Sequence, residues 1–165
     1  MPADQYELYA QFGIAAEKAQ VLEVAAGNVA LSFVTMLVKP EEITPEEMQM
    51  YRAIVDEVNR KTFGSLLNHL KKALTLSDSL IQIVDEALER RNYLTHHFFR
   101  THNFALYNEE GRKVMMAELK EIQGKLDIAH RTLEGMAAGI DQIVGRTTDR
   151  GMVERLVARG KKVNI

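Results

Sequence analysis

At 165 residues, 46% hydrophobic and 27% charged, the chain is about one domain long, large enough to bury a core and too apolar to stay disordered. It has no cysteine, which excludes disulfides, cysteine-ligated zinc and thiol redox chemistry and fits the cytoplasm. A formal net charge of −2 gives no overall pull toward nucleic acid, and no run approaches the roughly 18 apolar residues of a membrane span.

The N-terminus also lacks a basic segment followed by an apolar run. A single domain over 1–165 is therefore expected, unexported and with no membrane partner. Prolines stand only at positions 2, 40 and 45, so the long periodic segments can run as helices. The expected class is all-α, a bundle of about five to six helices with an antiparallel up-down core.

The first helix is predicted from about Ala3 to Val38, with Leu8, Phe12, Ala15, Ala19, Leu22, Ala26, Ala30, Phe33 and Leu37 as its apolar stripe and Pro40 ending it. Thr44-Pro45-Glu46-Glu47 is a start signal: threonine caps, proline takes the first helical position and Glu47 returns the capping bond. The second helix runs on to about Arg60. A shorter third is predicted from Thr62 to Leu74.

Ser77 or Asp78 caps a fourth helix reaching about Arg100, and 101–108 reads as a loop. A long helix over 109–143 carries Met115, Leu119, Ile122, Leu126, Ala129, Leu133 and Met136 on one stripe. Gly111, Gly124, Gly135 and Gly139 weaken it, and Gly135 or Gly139 offers a breaking point. Residues 145–149 separate a last short helix, 150–159, closed by Gly160. Between Arg146 and Lys162, six basic residues face Asp149 and Glu154, so this C-terminal stretch, 146–165, either touches phosphate or is a solvated helix.

The fourth helix holds the unusual chemistry. From Leu80 its apolar face is Leu80, Ile83, Val84, Ala87, Leu88, Leu94, Thr95 and Phe98, and Arg91 falls near the centre of that face. A guanidinium cannot lose its proton, so it needs a carboxylate, a cleft or a subunit seam. Glu23, between Leu22 and Ala26 in the first stripe, is the partner the sequence offers, and breaking a sealed pair of that kind costs roughly 3–5 kcal/mol. Asn92 and His96 are four apart and adjacent on the helix, whereas Arg91 and His96 lie roughly 140° apart around it. They converge only if the helix unwinds near His96 or if a two-fold dimer supplies the same helix twice.

Together these groups suit metal-independent RNA cleavage. An imidazole with an ordinary pKa near 6.5 can take the ribose 2′-hydroxyl proton, while the guanidinium fork stabilises charge on the phosphate oxygens. Arg90, Arg100 and His102 could extend a positive rim for RNA, and Lys71-Lys72 is a similar, weaker pattern. Tyr93, Phe98 and Phe99 read as packing rather than as a base-stacking platform. A paired-metal oxidase needs Glu-x-x-His repeats, yet none of the five histidines has glutamate three residues before it, and only Asp127 to His130 comes near. No phosphate-cradling, dinucleotide or serine-elbow motif occurs, so neither metal nor cofactor is expected.

The run Arg91-Asn92-Tyr93-Leu94-Thr95-His96 resembles the Arg-polar-x-x-x-His signature of the HEPN superfamily, with Arg91, Asn92 and His96 in its three positions. His97 satisfies a looser form of the same spacing. The resemblance implies a small helical bundle that dimerises through the motif helix and acts as a metal-independent ribonuclease, in toxin or defence settings that include an antitoxin partner. It also embraces HEPN-like dimers that only bind protein or nucleic acid, with Arg91 and Glu23 structural. A toxin branch of the superfamily has a modifiable tyrosine two residues after the histidine, where this chain has Phe98. The nuclease reading requires Arg91 and His96 on a shared open groove, and the binding reading expects Arg91 closed against Glu23.

Overall fold

The computed structural model describes residues 2–36 and 44–145. The expected features at Leu37, Val38 and Pro40, the Glu47 side chain, and the basic C-terminal stretch with its final helix lie outside the described residues. All regular structure among the described residues is helical: α1 (Ala3–Met36), α2 (Pro45–Arg60), α3 (Phe63–Ala73), α4 (Asp78–His96), α5 (Phe98–Thr101), a 3₁₀ turn (Ala105–Tyr107) and α6 (Glu109–Ile143). No described helix is long and apolar enough to cross a membrane.

The 3.6-residue stripes explain the assembly. Leu8, Ala15, Ala19, Leu22, Ala26 and Val29 of α1 are buried, as are Met115, Leu119, Ile122, Leu126, Ala129 and Leu133 of α6. Alanines at every fourth or seventh position keep the α1 surface shallow, so the larger side chains of α6 can fit against it. Three polar pairs give the direction of this seam: Asp4 with Arg112, Gln11 with Gln123 and Lys18 with Asp127. Both members of each successive pair advance along the sequence, so α1 and α6 lie side by side with the same polarity.

Helix α4 covers α1 and α6 through Val84, Ala87 and Leu94. Along α6 its pairs descend, with Glu86 meeting Lys125 and His102, just beyond α5, meeting Glu118. Helices α2 and α3 cover α1, burying Val58, Phe63, Leu66, Leu67 and Leu70.

Local signals set most boundaries. Helix α2 starts at Pro45, α3 is capped by Thr62, whose hydroxyl accepts from the Ser65 N–H at 3.4 Å, and α4 by Ser77, which accepts from the Leu80 N–H at 3.4 Å. Asn108 caps α6, accepting from the Gly111 N–H at 2.7 Å. Two expectations need correction. Helix α4 does not continue to Arg100: His97, at φ −127° and ψ −25°, separates it from α5. Helix α6 is unbroken at Gly135 and Gly139, because the seam continues beneath them through Leu133, Met136 and Ala137. The expected loop 101–108 contains the 3₁₀ turn.

Among the described residues the most buried charge is Arg112, only 7% exposed. It lies one turn before Met115 on the inward face of α6. Its Nε donates to Asp4 Oδ2 at 2.6 Å and one Nη donates to the Leu106 carbonyl at 3.0 Å, which ties the start of α1 and the 3₁₀ turn to α6. The Arg112 guanidinium holds the Asp4 carboxyl below its usual value of 3.8, against the opposing effect of desolvation. A depressed carboxyl stabilises the fold above its unfolded pKa, and that contribution disappears as pH falls through the folded value. Asp4→Asn is therefore expected to be less stable than the parent at neutral pH, with the gap narrowing at a pH below the ordinary carboxyl value of 3.8. Urea unfolding at both pH values measures it, and an equal gap would show that the pair does not titrate with folding.

Candidate active site at the end of α4

Arg91 sits on α4 between Ala87 and Leu94, both buried. From this position the guanidinium reaches across to α1. One Nη donates to the Glu23 carboxylate and the other to Asn92 Oδ1 at 3.1 Å. The pair is not sealed, since the Arg91 side chain is 24% exposed and that of Glu23 33%. Water therefore reaches both charges, and the pair is worth nearer the ~1 kcal/mol of a surface bridge than the value of a buried one. Two of the three guanidinium nitrogens are thereby oriented by named partners.

Thr95, placed on the apolar face by its spacing, is exposed, and its hydroxyl donates back to the Arg91 carbonyl at 2.9 Å. This local bond satisfies a carbonyl near the end of the helix. His96 and His97 are both exposed, with ring centroids 6.3 Å apart and planes at 71°. Because α4 stops at His96 and the backbone departs from helical geometry at His97, the two imidazoles lead away from the helix end on different courses.

Phe98 anchors the break. It is fully buried, with rings of Phe12, Tyr93, Phe99 and His102 at centroid distances of 5.7, 6.2, 5.3 and 5.0 Å. Burial pushes the Tyr93 phenol above its ordinary pKa. Tyr93 and Phe99 are half-buried in the same packing. Arg100 is exposed and Arg90 half-buried. His102 turns inward, its Nε2 against Glu118 at 2.5 Å, so it offers no open edge to a ligand. Lys71 is engaged by Asp85.

Arg91, Asn92 and Glu23 thus form one bonded group, with His96 and His97 on the solvent side of the same helix end. Two cavities lie between α1, α2 and α3, and Glu23 lines one of them, about 280 Å³. Neither brings Arg91 and His96 into a shared hollow. Asp127, the nearest approach to a metal-binding pattern, is engaged by Lys18 at 2.5 Å, while His130 faces Glu134 at 3.5 Å.

Spacing picked out the Arg91–Glu23 pair but missed Arg112, although its place one turn before Met115 on the long stripe carried the same signal. It also missed Glu118, which claims His102. No protein-family model, curated protein or solved structure matches the chain.

Proposed function

We propose that this chain is a HEPN-like bundle with an up-down helical core, working as a cytoplasmic homodimer that cleaves RNA without metal. The observation that carries the reading is the guanidinium of Arg91, oriented by Glu23 and Asn92 yet open to solvent, five residues before an exposed imidazole. Arg91 stabilises charge on the scissile phosphate. His96, or His97 by the looser spacing, takes the proton of the ribose 2′-hydroxyl. The 2′-oxygen attacks phosphorus, the 5′-oxygen leaves with a proton returned by a histidine, and the products are a cyclic phosphate and a free 5′-hydroxyl.

Because Arg91 and His96 diverge on one helix, the arginine of one copy works with the imidazole of the other across a two-fold axis through the end of α4. Phe98, in the position of the modifiable tyrosine of the toxin branch, is fully buried, which supports a control mechanism other than modification there.

The second reading is a HEPN-like dimer that binds without catalysis, and the ion pair to Glu23 favours it, because an arginine already answered by a carboxylate has less to give a phosphate. Incubation with mixed RNA in excess chelator separates the two. The nuclease reading expects cleavage by the parent and a loss of about a hundredfold or more in folded His96→Ala and Arg91→Ala variants. Intact RNA at high protein concentration in all three samples would leave the binding reading.

A further inference from the structure

A groove of about 550 Å³ opens between the second half of α1, α2 and α3, walled by Phe33, Val34, Ile54, Leu66 and Leu70. An apolar hollow of this size with a few polar groups at its edge is the usual form of a small-molecule site. Three such groups stand here: Glu57, Lys61 and His69. His69 Nδ1 lies 2.6 Å from the Ser65 carbonyl, which can only accept, so Nδ1 is the donor of that bond.

Lys61 is the inner member and Glu57 the outer member of a 3.0 Å ion pair, their side chains 23% and 61% exposed. A pair between Glu57 of α2 and Lys61 just beyond its end is weak when the carboxylate is this exposed. Glu57 can therefore turn into water and yield its place to another carboxylate. Lys61 also borders the 280 Å³ cavity next door, whose lining includes Gln20 and Asn28. Lys61 thus lines both the apolar groove and its neighbour.

We propose that this groove binds a free medium-chain aliphatic carboxylate, with the chain against Phe33, Ile54 and Leu70 and the head group on Lys61 in place of Glu57. The site is independent of RNA cleavage. Titration calorimetry of the full chain with hexanoate, octanoate, decanoate and dodecanoate, below their micelle concentrations, tests it. Binding should saturate at one molecule per chain and tighten about fourfold per methylene until the groove is full.

Lys61→Met should weaken the carboxylates about tenfold and leave the matching primary alcohols unchanged. Ala53, exposed and lining the groove, can be enlarged from the solvent side, and Ala53→Phe should abolish binding of both series while thermal melting reports an intact fold. Absence of saturable binding to the parent overturns the site. Equal losses for acids and alcohols in Lys61→Met overturn the head-group assignment, and unchanged binding in Ala53→Phe places the ligand elsewhere.

Discussion

Phe98→Ala is expected to lower the folding free energy by about 3–5 kcal/mol, the range for deleting a fully buried phenyl ring. The ring touches Phe12 of α1, Tyr93 of α4, Phe99 of α5 and His102 beyond it, so the void left by alanine would open where four segments meet. Collapse is obstructed because Phe12 and Phe99 already pack on each other at 4.8 Å. Phe98→Leu keeps much of the volume and should cost less than about 1.5 kcal/mol. Urea unfolding of the two variants beside the parent measures the difference. A cost below about 1 kcal/mol for alanine would mean that α5 does not pack as described. Since Phe98 follows His97 directly, the alanine variant should also loosen the imidazoles, and under the proposed nuclease reading it should lose cleavage in excess of its loss of folded protein.

Gly111→Ala should destabilise by about 3 kcal/mol, at the upper end of overpacking costs. A Cβ at this position would lie 2.3 Å from the Ala105 carbonyl oxygen and 2.6 Å from the Ala105 Cα. Those are backbone atoms, which cannot rotate away. The 3₁₀ turn would have to lift off the start of α6 and strain the bond from Arg112 to the Leu106 carbonyl. Gly124 is the control, because a Cβ there meets nothing within 4 Å. Gly124→Ala should stabilise by about 0.5–1 kcal/mol through helix propensity alone. Opposite signs for one substitution at two glycines of the same helix would establish that the close approach is real, and equal signs would refute it.

The elements with periodic stripes and good caps were legible in the sequence. Helix α6 spans 109–143 as its stripe implies, and Pro45, Thr62 and Ser77 mark the starts of three others. Glu23 and Arg91 could be matched because each interrupts an apolar stripe, and two such interruptions of opposite sign attract. The end of α4 could not be read this way. No proline or glycine lies near His97, and the break follows from tertiary packing of Phe98 and Phe99, which spacing along one helix does not encode. The depth of burial was equally hidden: Arg91 looked the more enclosed arginine, yet Arg112 is, because the 3₁₀ turn folds over it. The proposed pairing of two copies would depend on a surface outside any single helix pattern.

The common polarity of α1 and α6 has a mechanical consequence. Each is about 50 Å long at 1.5 Å per residue, so residue 3 and residue 143 lie near opposite ends of the seam. Tension applied between those points would drag the two helices lengthwise past each other. Interlocked side chains along the whole contact would then resist at once, instead of parting one after another as in a peeled hairpin.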